Sequence, residues 1–161
     1  MKKVIVLLFL AVAALACDKE LYTSIPDSLV SFTVHLGDID ADLNTGTAYK
    51  TFKSKRAETD RIGYGGLLVV SSPGSHLNNV TLYAYDLACP YEVRREIRVN
   101  PVNMSGSGKV PTAITAVCPE CGSEFDISNG TGQPMKGSKA KYGLKVYHVA
   151  KQANQRYHIS R

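Results

Sequence analysis

The chain has no tryptophan, and its 161 residues include only four cysteines and four histidines. Charged residues make up 20% and hydrophobic residues 44%, as in an ordinary globular domain, which excludes a collagen-like protein and a disordered tail. Only one long apolar run is present, at the N-terminus, so a multi-span membrane protein is excluded as well. The net charge of +5 is too small to indicate a nucleic-acid partner. The length fits one domain.

The first sixteen residues have the pattern of a secretory signal peptide. Lys2 and Lys3 form a charged start, and an uncharged apolar run follows from residue 4 to residue 16. This run is shorter than the roughly 20 residues that a spanning helix needs, so it predicts the apolar core of a signal peptide over residues 1–16. Removal of this segment would lower the net charge to +3.

Cys17 directly follows Ala14-Leu15-Ala16, and small residues before a cysteine resemble the lipobox of bacterial lipoproteins. In such signals the peptide is cut before the cysteine, which then receives acyl chains, each worth about 0.8 kcal/mol per buried CH₂. We therefore expect Cys17 to anchor the protein to a membrane of a bacterial envelope. Residues 17–27 are then a lipidated tether, and residues 28–161 form the domain. The alternative is an ordinary signal peptide that leaves Cys17 as a free thiol.

The remaining sequence favours strands over helices. Nine tyrosines and thirteen glycines suit a β-rich protein. Alternating or continuously apolar segments predict seven strands. They cover residues 30–36, 67–70, 80–87, 92–99, 112–117, 144–149 and 155–160. The best helix candidate, residues 38–44, is short, so we predict an all-β sandwich or small barrel.

The other three cysteines lie in two short segments. One segment, at residues 85–91, is Tyr-Asp-Leu-Ala-Cys-Pro-Tyr, and the other, at residues 118–126, is Cys-Pro-Glu-Cys-Gly-Ser-Glu-Phe-Asp. A C-x₂-C pair with proline and glycine is a tight turn that directs two sulfurs to one point, which is typical of soft-metal sites. The same spacing also occurs in redox disulfides.

The second segment resembles the second cluster-binding loop of Rieske [2Fe–2S] proteins, in which C-P-x-H-G-S-x-F-D is usual. Residues 132–149, with Gly132, Pro134 and Gly137, resemble the tail of that family, so the resemblance covers roughly residues 62–161. The Gly65-Gly66-Leu67-Leu68 stretch is also similar to a subgroup of Rieske-like lipoproteins from Bacteroidetes-type bacteria. The resemblance implies a Rieske-like antiparallel β-sandwich or barrel. It also implies a small two-loop cluster-binding subdomain at about residues 86–137.

The ligand set departs from the Rieske pattern. A Rieske centre has two cysteines on one iron and two histidines on the other, but Tyr91 and Cys121 occupy the two histidine positions here. The resemblance implies that Cys89, Cys118 and Cys121 are ligands. An oxygen of Tyr91 or Glu92 would be the fourth ligand. It places Gly122, Ser123 and Pro134 around them. The four histidines lie outside both loops.

Three outcomes stay open for the cysteines. The first is a variant [2Fe–2S] or other iron–sulfur site, whose thiolates would lower the reduction potential relative to a histidine-ligated centre. The second is a zinc or iron site with three cysteines and one other ligand. The third is a metal-free fold with a disulfide such as Cys118–Cys121 or Cys89–Cys118, which an oxidising envelope favours. The Lys2-Lys3 signal is of the general secretory type, whereas exported cluster proteins usually carry a twin-arginine signal.

Two functions follow from these outcomes. One is an electron carrier that serves a redox partner protein and has no catalytic activity of its own. The other is a cluster-free binding or structural lipoprotein. The 26-residue segment between Tyr91 and Cys118 has room for an extra hairpin, which we expect to pair residues 92–99 with residues 110–117.

Two further segments have plainer interpretations. Residues 50–56 include four basic side chains and predict a solvated loop or a contact with anionic lipid head groups. The glycine-rich residues 63–66 lack the following helix and the Lys-Ser/Thr pair of a phosphate-binding loop, so they predict a turn.

Overall fold

The structure is a computed structural model, and it describes residues 22–76, 79–104 and 113–161. The predicted signal peptide and Cys17 lie outside these residues. The described part contains ten strands and a short 3₁₀ helix at Ala41–Asn44. The strands are β1 Val30–His35, β2 Tyr49–Phe52, β3 Arg61–Ile62, β4 Leu67–Ser71, β5 Leu82–Asp86, β6 Asn100–Met104, β7 Ala113–Val117, β8 Glu124–Asp126, β9 Val146–Lys151 and β10 Arg156–Ser160.

None of the helices in the described ranges combines the length and the apolar character that crossing a bilayer requires.

The strands form two antiparallel sheets of unequal size. The larger sheet has seven strands in the order β2-β4-β5-β9-β10-β1-β3, and the smaller has three in the order β6-β7-β8. Every strand pair in both sheets is antiparallel. The predicted all-β antiparallel fold is therefore confirmed.

The alternation in β1 explains how the larger sheet buries one face. Val30, Phe32 and Val34 are buried, while the residues between them are exposed or half-buried. Phe32 packs against Phe52 of β2 with ring centroids 4.6 Å apart. These side chains belong to the first of two apolar cores.

Strand β4 is buried on both faces because it separates the two cores. Leu67 and Val69 point into the first core, while Leu68 and Val70 point into the second. The second core also contains the three cysteines and the apolar residues of the smaller sheet. A strand between two cores needs apolar residues on both sides, which is why residues 67–70 show no alternation.

The structure corrects the prediction for residues 92–99. This segment forms turns with a single bridge between Arg98 and Ala88 instead of a strand. Val93 has a φ of 52°, a left-handed conformation that interrupts an extended chain. The extra hairpin exists, but β6 takes the place of residues 92–99, and Asn100 pairs with Val117. The helix candidate at residues 38–44 is reduced to the 3₁₀ turn.

Candidate metal centre

Three buried cysteines from two loops meet in the second core. Cys89 lies just after β5, and Cys118 and Cys121 lie in the turn between β7 and β8. Their sulfurs all lie within 4.8 Å of one another, and the Sγ atoms of Cys89 and Cys121 are 3.7 Å apart. No histidine or carboxylate from residues 22–76, 79–104 or 113–161 joins this group.

The C-x₂-C turn is closed by its own backbone. The Gly122 amide donates to the Cys118 carbonyl at 3.0 Å, and the Cys118 amide donates to the Ser123 carbonyl at 2.9 Å. Gly122 has a φ of +71°, a conformation that glycine adopts without the steric penalty of a side chain. This geometry holds the two cysteines on one side of the turn.

The loop of Cys89 is held by residues further along the chain. The Cys89 amide donates to the Ile97 carbonyl at 3.1 Å, and the Val93 amide donates to the Cys89 carbonyl at 2.9 Å. Val93 is β-branched, so its positive φ is strained. Strain of this kind is concentrated at functional sites.

Burial and hydrogen bonds act differently on two of the thiols. Burial raises the pKa of Cys89 to about 12, against the opposing effect of the Glu92 and Tyr91 amides. Burial also raises the pKa of Cys121, but donors from Ser123 and the neighbouring thiols outweigh it, so this pKa lies below its ordinary value. Cys121 is therefore the easier of the two to convert to a thiolate.

Ser123 and Pro134 make contacts at or beside the C-x₂-C turn. Ser123 Oγ is 3.2 Å from Cys121 Sγ and accepts a hydrogen bond from the Ala140 amide at 2.9 Å. Pro134 forms a bridge with Phe125, which packs in the same core as the cysteines. These contacts fix the position of the C-x₂-C turn.

The two oxygen candidates for a fourth ligand differ in their surroundings. The side chain of Tyr91 is 53% exposed. The carboxylate of Glu92 lies 3.6 Å from Arg94 and outside the group of three sulfurs. The described residues thus provide three sulfurs at one point, and a fourth ligand would come from outside that group.

A buried carboxylate that none of the sequence motifs points to supports this region. Asp86 is fully buried and accepts hydrogen bonds from the Tyr64 amide at 2.6 Å and the Gly65 amide at 2.8 Å. The Ala88 amide and the Tyr147 hydroxyl donate to it at 2.8 and 2.6 Å. This single side chain ties the end of β5, and so Cys89, to the turn at residues 63–66. An aspartate within an apolar strand is the signal that could have revealed it.

The last residues of the predicted tether contact the domain. Ile25 is buried, the Thr23 hydroxyl donates to the Gly143 carbonyl at 2.9 Å, and the Ser24 hydroxyl donates to the Pro90 carbonyl. Pro90 directly follows Cys89, so this segment covers part of the cysteine loop.

Comparisons with known proteins leave the family open. No family model matches the chain. No curated protein matches it either. A solved structure described as the small subunit of an NADH-dependent nitrite reductase from Mycobacterium tuberculosis aligns with a TM-score of 0.40 at 12% identity, covering 83% of this chain and 96% of that one.

Proposed function

We propose that the protein is a lipid-anchored, Rieske-like envelope protein that binds iron through Cys89, Cys118 and Cys121 and exchanges single electrons with a partner protein. The observation behind this proposal is the convergence of three buried sulfurs within 4.8 Å of one another. Three cysteines are an odd number for disulfides. A single ion can use all three sulfurs at once.

The sulfur positions fit one metal ion better than a histidine-ligated cluster. Tetrahedral metal–sulfur bonds of about 2.3 Å place two sulfurs about 3.8 Å apart, close to the 3.7 Å between Cys89 and Cys121. A Rieske cluster needs four protein ligands, two of them histidines. Among the described residues no histidine joins the sulfurs, so the residues do not fit that cluster. They fit one ion with three thiolates and a fourth ligand such as water or Tyr91.

The chain itself would tune such a site through Ser123. Its hydroxyl lies 3.2 Å from Cys121 Sγ and donates to that sulfur once it is a thiolate, while the Ala140 amide holds the hydroxyl in place. Hydrogen bonds to ligands orient them and adjust their basicity. Bound iron would supply a one-electron redox couple. A thiolate-rich ligand set favours a low reduction potential for that couple.

Of the three cysteines, Cys121 lies nearest to the protein surface, where a redox partner could dock. Cys121 is 7% exposed, whereas Cys89 and Cys118 are almost fully buried. The neighbouring Pro119, Glu120 and Tyr91 are exposed. The surface around Cys121 is therefore the place where we expect an electron donor or acceptor to dock.

Metal analysis of the native protein tests the electron-carrier proposal. The full chain should be extracted anaerobically in mild detergent from iron-replete cells. We expect about one iron per chain and visible thiolate-to-iron absorption. Cys89→Ser and Cys121→Ser should each abolish both signals. Ala116→Ser places a hydroxyl in the same core without removing a sulfur, and it should keep them. A colourless, iron-free wild type would contradict the proposal.

A metal-free form is the second candidate. The Sγ atoms of Cys89 and Cys121, 3.7 Å apart, would need to approach to about 2.05 Å to form a disulfide, which the oxidising envelope would favour. In this case the protein would be a binding or structural lipoprotein, iron-free and lighter by two hydrogens under non-reducing conditions.

Anchoring is a separate part of the proposal and rests on the sequence of residues 1–17. The wild-type chain should fractionate with membranes and carry acyl chains on Cys17. Cys17→Ala should release the protein from that fraction while leaving its metal content unchanged. Membrane association unaffected by this substitution would contradict lipid anchoring.

A further inference from the structure

A second candidate site lies beside the segment that follows Cys89. It is a cavity of about 460 Å³ between the turn at residues 63–66, the loop after β2 and the segment that follows Cys89. Ligand pockets are typically about 300–1,000 Å³, so the cavity has the size of a small-molecule site. It shares no residue with the three sulfurs.

The cavity is lined by cations and by no carboxylate. Five basic side chains contribute to it: Lys53, Lys55, Arg61, Arg95 and Arg98. Across residues 22–76, 79–104 and 113–161, none of the five forms an ion pair. Four of the five are exposed to solvent and Arg98 is half-buried, so an anion that enters the cavity meets positive charge that no ion pair within the protein offsets.

The basic segment at residues 50–56 is divided between two roles. Lys50 and Arg56 pair with the buried carboxylate of Asp40, and Lys50 also pairs with Asp42, so two carboxylates balance these two cations. Lys53 and Lys55 line the cavity instead. The predicted solvated loop is therefore part structural ion pair and part cavity wall.

Contacts within the protein hold the arginines in place. Arg98 Nε donates to the Gly65 carbonyl at 2.5 Å, and the Arg95 guanidinium lies 5.0 Å from the centroid of the Tyr64 ring. Arg61 donates to the Glu58 and Asp60 carbonyls at 2.8 and 2.9 Å. Side chains that are fixed before binding lose less entropy when a ligand arrives.

Side chains, and not the backbone, would bind the ligand. The amides of Tyr64 and Gly65 already donate to Asp86, so the glycine-rich turn does not present these groups to the cavity. This agrees with the prediction of a turn in place of a phosphate-binding loop.

We propose that this cavity binds a phosphorylated small molecule. A phosphate monoester carries up to about two negative charges and three acceptor oxygens, which suits five cations in one cavity. Arginine forks bind phosphate oxygens in pairs, and lysines add point charges. Leu29 and Ile62 also line the cavity and offer an apolar surface to the rest of the ligand. The phosphate could belong to a free metabolite or to a lipid head group, where a phosphodiester presents one negative charge and two free oxygens.

Calorimetric titration of the detergent-extracted full chain tests this assignment. One probe is inorganic pyrophosphate. The other is glycerophosphoglycerol, the deacylated head group of phosphatidylglycerol. Lys53→Gln with Lys55→Gln should weaken binding at least about tenfold. Lys136→Gln with Lys139→Gln removes the same charge from exposed positions outside the cavity and should stay within about twofold of the wild type.

Each outcome decides the proposal. Saturable binding of pyrophosphate alone supports a soluble ligand, and saturable binding of glycerophosphoglycerol supports a lipid head group. The proposal is overturned if neither probe binds or if both double variants weaken binding equally. It is also overturned if citrate, a carboxylate whose charge is similar to that of pyrophosphate, binds as tightly as pyrophosphate.

Discussion

Asp86 lies three residues before Cys89, but its carboxylate and the three cysteine sulfurs have different kinds of partners. The Asp86 carboxylate receives four hydrogen bonds from Tyr64, Gly65, Ala88 and Tyr147. The sulfurs instead lie beside one another, beside the Ser123 hydroxyl and beside the amides of Tyr91, Glu92 and Ser123. A carboxylate that is fully paired within the protein supports the fold, whereas converging thiols surrounded by hydrogen-bond donors suit thiolates that bind a cation.

The largest expected effect on stability comes from disrupting the hydrogen bonds to Asp86. Asp86→Asn replaces one acceptor oxygen by a donor that faces amide hydrogens, and we expect it to lower the free energy of unfolding by about 3 kcal/mol or more. Tyr147→Phe removes a single donor and should cost about 1–2 kcal/mol. Urea unfolding of both variants measures the difference. Equal stability of Asp86→Asn and the wild type would show that the carboxylate does not organise this region.

Two glycines, Gly65 beside Asp86 and Gly122 in the cysteine turn, allow the two regions to be compared by substitution. A Cβ on Gly65 would lie 2.6 Å from the Ala88 amide nitrogen, while a Cβ on Gly122 meets nothing within 4 Å. We expect Gly65→Ala to be destabilised by more than about 2 kcal/mol because backbone atoms cannot move aside. Gly122→Ala should lose only about 1–2 kcal/mol for its left-handed φ. Thermal unfolding that ranks the two variants in the opposite order would contradict the packing around Asp86.

The ion pair of Asp40 gives a pH-dependent effect. Burial raises the pKa of Asp40, but hydrogen bonds from Arg56, the His35 amide and Lys50 outweigh it, so the pKa lies below its ordinary 3.8. This stabilisation is complete above pH 3.8 and is lost as the pH falls through the lower, folded-state pKa.

Arg56→Gln should therefore lose about 1.5–3 kcal/mol near neutral pH. Below pH 3.8 the gap in unfolding free energy between Arg56→Gln and the wild type should narrow, because Asp40 becomes protonated in both. The part that stays is the lost packing of Arg56 on Phe32 and Phe52. Urea titrations at several pH values measure this gap, with Lys53→Gln as a control. A gap of constant size down to pH 2 would count against a role for the Asp40 charge.

The smallest predicted effect concerns Ser123. Ser123→Ala removes the hydroxyl beside Cys121 Sγ and should weaken iron binding about tenfold, as loss of a hydrogen bond to a ligand commonly does. Ser128→Ala removes a hydroxyl that bonds Asp126 instead and should leave iron affinity unchanged. Competition with a chelator measures both affinities. Equal affinity in the two variants would remove Ser123 from the site.

Much of the fold follows from local patterns, while the site depends on long-range packing. The strict alternation at residues 30–36 predicts β1, and the C-x₂-C spacing predicts the turn at Cys118. The meeting of Cys89 with Cys121 depends on the pairing of β6 with β7 and on the Asp86 network, neither of which leaves a local pattern. Residues 92–99 mislead because alternating charges also suit an exposed turn, and the positive φ of Val93 is not visible in the sequence.

The central claim is that Cys89, Cys118 and Cys121 act together on one metal ion. Native mass spectrometry of the anaerobically extracted, full-length protein tests it most directly. We expect one iron per chain, with the mass reduced by the protons that the cysteine thiols release, and loss of that iron in Cys118→Ser. An iron-free chain that is lighter by two hydrogens, and unchanged in metal content by Cys118→Ser, would contradict the account.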